Sequence, residues 1–314
     1  MFQRVPRGRF APSPSGALHL GSARTALASF IAAEGDFVLR IEDLDVARTQ
    51  PGSAAQMLDD LRWLGLAWRE GPDVGGECAP YVQSERRALY DAAIAMLRAD
   101  GRVYPCSCSR REVEQASQAP HGAEPVYPGT CRGRDPSAVI DEARARGRGV
   151  SWRFAVPEGM VTIVDRRLGP VTQDVARDVG DFVVSRADGV PAYQLAVVVD
   201  DIAMSIREVV RGDDLLASSP RQRLLFDAFG AIPPAFFHIP LVVGDDGVRL
   251  AKRHGSITVS ELRRRGVARD RVVTALLETL GITTSLAAAK LDPHSIPSGP
   301  VALAMLRRTV PEIG

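Results

Sequence analysis

Arg9-Phe-Ala-Pro-Ser-Pro-Ser-Gly-Ala-Leu-His-Leu-Gly-Ser22 takes the chain out of a short strand, round a loop shaped by two prolines and a glycine, and into a helix start. Ser22 stands where an N-cap is predicted, and Ala23, Leu27, Phe30 and Ile31 recur at helical spacing until Gly35. Phe37, Leu39 and Ile41 then alternate as a strand that runs into Glu42, Asp43 and Asp45. Strand, loop, helix and strand in that order predict a right-handed parallel crossover and an α/β domain. A helix opening of this kind offers free backbone N–H groups and a positive dipole end to a phosphate, and Gly21 permits close approach by a nucleotide. On spacing alone, an ordinary strand-to-helix turn with a surface histidine accounts better for His19 and Gly21.

Working outward, helical patterns follow Ser53 and span Ser84 to Leu97. From Tyr104 to Arg134 periodicity gives way to a Cys-, Pro- and Gly-rich stretch, and from Ser151 to Arg186 short strand-like pieces alternate with turns, which reads as an inserted subdomain. The α/β pattern resumes with an apolar stretch, Tyr193 to Val199, read as a strand, and a second strand, Glu208 to Arg211. A helix introduced by Ser219-Pro220 and a strand from Phe236 to Val243 follow. The predicted division is 1–103 and 191–247 for the two halves of a catalytic domain, 104–190 for the insertion, and 248–314 for a basic loop and a short helical region.

The 314 residues are 45% apolar and 25% charged, enough for a sizeable core, and no window approaches the ~18 apolar residues of a spanning helix. With no apolar leader at the start, a cytoplasmic protein without membrane contact is expected. Basic and acidic residues number 39 and 38, so no global positive field marks a nucleic-acid coat protein and any RNA contact must be local. Arg144 to Arg148 and Arg263 to Arg265 are candidates for phosphate contact, although solvated helix faces are the better account of them. Lys252 and Lys290 are the only lysines, which singles out Lys252 in the basic loop Val248-Arg-Leu-Ala-Lys-Arg-His-Gly255. Cations clustered on such a loop suit the charge of a transferred phosphoryl group or leaving pyrophosphate.

Together these motifs resemble class I aminoacyl-tRNA synthetases of the glutamyl type. Arg9 to Gly16 with Leu18-His-Leu-Gly21 is similar to their first signature, HIGH; Leu250 to Gly255 to the second, KMSKS; and Arg40-Ile-Glu-Asp-Leu-Asp45 to the acidic strand end of glutamate-specific members. Only Ser256 to Gly314 follows the second signature, so the resemblance is closest to the short paralogues, the glutamyl-Q tRNA(Asp) synthetase family, and covers Arg7 to about Leu280. It implies a Rossmann-like catalytic domain with a zinc-bearing insertion, a short helical C-terminal region and no anticodon-binding domain. The implied reaction is ATP-dependent activation of L-glutamate to glutamyl-adenylate, with Mg²⁺ on the ATP, and transfer to the queuosine base of tRNA(Asp) by a monomer.

Carried across, the resemblance makes Arg9 and Arg211 carboxylate clamps and groups Phe10, Ala11, Pro12 and Ser13 at the strand end with Glu42 for the α-ammonium and Tyr193 as a hydrogen-bond partner. His19, Gly21, Ser22 and Lys252 would surround ATP, with His19 and Lys252 the catalytic pair. Arg249 and Ala251 depart from the second signature, which has lysine first and usually serine third. Cys106, Cys108 and Cys131 suggest one structural Zn²⁺. The resemblance supplies Tyr127 as fourth ligand, while His121 is the chemically more usual alternative; Cys78 stands apart as structural. A truncated glutamyl-tRNA synthetase charging tRNA(Glu) would carry the same site residues, and a non-catalytic RNA-binding relative would produce no pyrophosphate exchange.

Overall fold

The computed structural model describes residues 6–116, 126–244, 246–247 and 257–313. Strand β1 (Gly8–Phe10), helix α1 (Leu20–Ala32) and strand β2 (Phe37–Leu39) form the expected parallel unit, with Arg9 opposite Val38. Helices α2 (Ser53–Trp63) and α3 (Arg87–Ala99) follow. The middle of the chain contains β3 (Val103–Cys106), α4 (Arg110–Ala116), α5 (Pro136–Ala145), β4 (Ser151–Phe154), β5 (Val161–Asp165), β6 (Gly169–Gln173), α6 (Val175–Asp178) and β7 (Phe182–Ser185). After it come α7 (Tyr193–Ala203), β8 (Glu208–Gly212), α8 (Ser219–Ala228), β9 (Ala235–Ile239) and β10 (Val242–Val243). The last elements are α9 (Val259–Arg264), α10 (Arg269–Glu278), β11 (Val301–Ala302) and α11 (Leu303–Thr309).

The main sheet has the order β2-β1-β8-β9-β5-β6, parallel from β2 to β5 with β6 antiparallel at the edge. From β1 the chain crosses to β2 on one side and later returns to β8 on the other, so the strand order reverses at β1. In open parallel sheets ligands bind at the carboxyl ends beside such a switch point. A second, antiparallel sheet, β3-β4-β7, belongs to the middle region, whereas β5 and β6 from that same region extend the main sheet.

The sheet and α1 come close because β1 carries glycine. A Cβ at Gly8 would lie 2.9 Å from the Ala33 Cβ. Ala23, Ala26 and Leu27 of α1 join Leu276, Leu277 and Leu280 in one apolar core. Each buried leucine there contributes ~1.5–3 kcal/mol relative to exposure. Arg24 crosses that core fully buried and is satisfied by Thr279 Oγ1 at 2.8 Å and the carbonyls of Pro240 (2.6 Å) and Thr279 (3.0 Å).

Three local expectations are corrected. Helix α1 is capped by His19, not Ser22: the His19 Nδ1 accepts the Ser22 N–H at 3.2 Å, and an imidazole lone pair serves where a hydroxyl oxygen was expected. The stretch Tyr193 to Val199 is helix, not strand. A short apolar run reads alike as a buried strand or a buried helix, and here Leu195, Ala196, Val197, Val198 and Val199 are all buried on α7. The strand from Phe236 is interrupted after Ile239 at Pro240, and Val242–Val243 pairs instead with β11.

Candidate active site

The carboxyl edge of the sheet gathers the expected charged residues. Arg9 comes from β1, Glu42 from the segment after β2, Arg211 from β8 and Tyr193 from the first turn of α7. The chain after β2 stays beside the first loop: Arg40 N–H donates to the Phe10 carbonyl (3.1 Å) and Glu42 N–H to the Pro12 carbonyl (3.0 Å). Phe10 and Pro12 are buried, Ala11 is half-buried and Ser13 is exposed. Arg9, Glu42, Tyr193, Asp201 and Arg211 lie close enough to perturb one another electrostatically.

Two acids that the sequence reading did not single out organise this edge. Asp201, on α7, faces Arg9 Nε at 3.4 Å and accepts from Arg40 Nη1 at 2.8 Å. Burial alone would raise the Asp201 pKa, but Arg9 and Arg40 hold it below the usual carboxylate range. Asp200, next to it, accepts from Arg86 Nε (2.6 Å), Gln83 Nε2 (2.8 Å) and the Tyr90 hydroxyl (2.9 Å). Arg40 is fully buried beside Asp200, Asp201 and Glu42, and burial, which opposes its charge, is more than offset by these three carboxylates. A helix was needed to see this, since the supposed strand stops at Val199, just short of both acids, whereas α7 continues to Ala203.

Glu42 accepts from Arg40 Nη2 at 2.9 Å, yet burial keeps its pKa above the ordinary value against the pull of Arg40 and Arg9. Tyr193 is 40% exposed at the mouth of the site, and burial of its hydroxyl with the nearby Glu42 charge holds it as a phenol. Arg211 differs from its neighbours. It is buried, and its Nε, Nη1 and Nη2 donate to His238 Nε2 (2.9 Å), Gln222 Oε1 (2.8 Å) and Ser219 Oγ (2.7 Å), all neutral acceptors. Among the described residues no carboxylate lies within ion-pair distance of it, and burial lowers its pKa. Gln222 is in turn oriented by Gln194, the neighbour of Tyr193, at 3.1 Å.

At the other end of the first loop, His19 and Gly21 open α1 as the sequence suggests. His19 Nε2 lies 3.0 Å from Ser22 Oγ, and a Cβ on Gly21 would sit 3.3 Å from His19 Nδ1. His19 also bridges Thr258, and Val259 N–H donates to the Leu18 carbonyl at 2.9 Å. The chain leaving the second basic motif is thereby joined to the first motif. Lys252 itself, with Arg249, Ala251 and Gly255, lies outside the described residues.

In the middle region, the sulfurs of Cys106, Cys108 and Cys131 lie within 4.8 Å of one another. Three thiolates on a tetrahedral zinc stand about 3.8 Å apart, given Zn–S distances of ~2.3 Å. The Cys108–Cys131 separation is 3.7 Å. The Tyr127 hydroxyl is 3.4 Å from Cys106 Sγ and accepts the Cys131 N–H at 2.8 Å, so it faces the same centre. Burial opposes the Cys131 thiolate, but hydrogen bonds from the Ser107 backbone and from Tyr127 bring the thiol down to about 7. This donor set is compatible with zinc. His121 lies outside the described residues, and Cys78 is remote from the cluster, its sulfur 3.3 Å from the Ala203 carbonyl.

A parallel sheet with a helix-opening histidine-glycine loop at its switch point, and buried cations along its carboxyl edge, defines a class I synthetase catalytic domain. The sequence matches the family of class I tRNA synthetases (E and Q), catalytic domain, over residues 6–290, and the chain belongs to that family. It is a ligase of the aminoacyl-tRNA synthetase type. It is 52% identical to the glutamyl-Q tRNA(Asp) synthetase of Symbiobacterium thermophilum, over 88% of this chain and 86% of that one. It is 45% identical to glutamate–tRNA ligase 1 of Halorhodospira halophila, over 88% of this chain and 59% of that one. Among solved structures, a glutamate tRNA ligase from Elizabethkingia meningosepticum in complex with its amino acid superposes with a TM-score of 0.84 at 27% identity, covering 98% of this chain and 69% of that one. Among the described residues no helix is long and apolar enough to cross a membrane.

Proposed function

We propose that this protein activates L-glutamate with ATP and Mg²⁺ and transfers it to the queuosine base in the anticodon loop of tRNA(Asp), acting as a cytoplasmic monomer. The observation that carries the substrate reading is Arg211, a buried guanidinium held by neutral acceptors with no carboxylate of its own among the described residues. A buried cation without a counter-ion is costly, and a carboxylate ligand supplies the missing charge in bidentate geometry. Arg9 is the second clamp, and Tyr193, a phenol at the mouth, donates to the bound amino acid. Glu42 meets the α-ammonium, which returns the desolvated carboxylate to its charged form. Ala11, between buried Phe10 and Pro12, and the exposed Ser13 that follows them line the strand end.

Adenylation needs no protein nucleophile. The α-carboxylate oxygen of glutamate attacks the α-phosphorus of ATP, the new C–O–P linkage forms, the bond to the β-phosphate oxygen breaks, and pyrophosphate leaves with the electron pair. The protein contributes positioning and charge stabilisation, worth up to ~7–11 kcal/mol for well-oriented reactants. His19, Gly21, Ser22 and Lys252 are assigned to ATP, with the roles of stabilising the developing charge given to His19 and Lys252. Cys106, Cys108, Tyr127 and Cys131 hold one structural zinc, which staples the middle region. The halves 1–103 and 191–247 build the catalytic domain around the stretch 104–190, whose strands β5 and β6 extend the same sheet, and 248–314 supplies the second signature and a helical tail.

The acceptor assignment rests on the 52% identity with a relative named for tRNA(Asp), against 45% with a glutamate–tRNA ligase. Radiolabelled glutamate, ATP and Mg²⁺ supplied with tRNA from queuosine-making cells and from cells that lack it test this reading. Label confined to the first pool is expected. Equal label on both pools refutes the acceptor, and label on neither refutes the activity.

A further inference from the structure

His238 lies beneath the site, fully buried, and the pairing of β8 with β9 sets it directly opposite Arg211. Its Nδ1 is 2.7 Å from Asp165 Oδ2, at the carboxyl end of β5. Its Nε2 is 2.9 Å from Arg211 Nε. A guanidinium only donates hydrogen bonds, so Nε2 must carry a lone pair and the ring proton must sit on Nδ1. Asp165 enforces the same answer from the far side, because an ionised carboxylate only accepts. It is itself fixed by backbone N–H groups: Arg167 (3.0 Å) and Leu168 (2.9 Å) on Oδ1, and His238 (3.0 Å) on Oδ2. Three strands thus contribute a chain of oriented groups, Asp165 to His238 to Arg211, that ends at the substrate edge.

We infer that His238, neutral and protonated on Nδ1 with Asp165 behind it, is a positioning residue for Arg211 and sets the affinity of the site for the substrate carboxylate. This rests on the reading of Arg211 as a glutamate clamp. The ring does two things that a carboxylate in its place would not do together. It locks the Nε side of the guanidinium, so that Gln222 and Ser219 each engage one terminal nitrogen and one N–H on each terminal nitrogen is left for the ligand. Being neutral, it also leaves the positive charge of Arg211 to the incoming carboxylate. The neighbouring clamp, Arg9, has Asp201 3.4 Å away and is held by a formal charge instead.

Two substitutions separate positioning from packing. In His238→Asn the side-chain amide reproduces the Nδ1 donor toward Asp165 but places nothing at Nε2; in His238→Gln the amide carbonyl reaches the Nε2 position. Pyrophosphate exchange with tRNA present is measured as kcat and KM for each substrate. His238→Asn is expected to raise the KM for glutamate roughly 10- to 100-fold, the range for losing a hydrogen bond to a charged group, with kcat and the KM for ATP within about twofold. His238→Gln is expected to restore most of the loss.

Equal damage in both variants, or a fall in kcat with the glutamate KM unchanged, overturns the inference. Arg211→Lys is run beside them. If it leaves the glutamate KM unchanged, the clamp reading fails and this inference with it; if it raises that KM while His238→Asn does not, the inference alone fails. A readout independent of substrate and of variant folding is the ¹⁵N spectrum of histidine-labelled wild-type protein, where a protonated Nδ1 and bare Nε2 for His238 are expected. The opposite tautomer overturns the proposal.

Discussion

Replacing Asp201 with Asn takes one negative charge from between two buried guanidiniums while changing the side-chain volume very little. Arg40 loses a charge-assisted hydrogen bond of 2.8 Å, and Arg9 loses its carboxylate partner at 3.4 Å. A hydrogen bond to a charged group contributes ~1.5–3 kcal/mol, and removing one partner of a buried ion pair costs ~3–5 kcal/mol. Arg40 keeps Glu42 at 2.9 Å and Asp200 at 3.5 Å, and the Asn carbonyl still accepts one bond, which puts the expected loss near the lower figure, ~3 kcal/mol. For a chain of 314 residues the unfolding entropy is about 0.66 kcal/mol/K, so the melting temperature should fall by about 5 °C. Asp91→Asn is the control. It breaks the solvent-exposed Arg87–Asp91 pair, also at 2.8 Å, and should move the melting temperature by no more than about 1.5 °C, because exposed pairs contribute ~0–1 kcal/mol. Calorimetric scans of both variants at neutral pH decide the matter. If the two shifts are equal, the argument that burial makes Asp201 the electrostatic keystone of the site is wrong.

Elemental analysis of purified protein should find about one zinc per chain, lost in Cys131→Ser and retained less well against a chelator in Tyr127→Phe; full retention in Tyr127→Phe removes the phenol from the ligand set. Gly21→Ala puts a methyl 3.3 Å from His19 Nδ1, so ATP turnover should drop several-fold while stability changes by less than ~1 kcal/mol, the helix preference for alanine offsetting a weaker cap. An unchanged kcat/KM for ATP would show that the His19 ring has room to move. Asp165 and Asp201 both have folded-state pKa values below the unfolded carboxylate value of ~3.9, so the stability they contribute is complete above that value and disappears as pH falls through the folded values. The melting temperature should therefore be level from about pH 7 to 5 and fall below about pH 4, with a shallower acid limb in the Asp165→Asn, Asp201→Asn double variant; an acid limb of the same steepness refutes that assignment.

Local sequence determined a good deal of this protein. The Pro-Ser-Pro-Ser-Gly turn between Phe10 and His19, the helical spacing through Ile31 and the alternation at Phe37 and Leu39 specify a parallel unit without tertiary help, because turn chemistry and side-chain periodicity are properties of a few consecutive residues. Arg9, Glu42, Tyr193 and Arg211 were legible as a set only through the resemblance of their motifs to a family, since each is by itself an ordinary charged or aromatic residue. The thiol cluster was legible from cysteine spacing, but its convergence with Tyr127 depended on β3 and the loop ending at Cys131.

The identity of α7 was decided by tertiary structure. Leu195 to Val199 has the local character of a strand, and it becomes a helix because burying that run also carries Asp200 and Asp201 to Arg86, Arg40 and Arg9, between 114 and 192 residues away in sequence. His238 and Asp165 were invisible for the same reason. Their pairing arises from the juxtaposition of β5, β8 and β9, and a buried charge finds its partner across strands, where no sequence spacing records the distance.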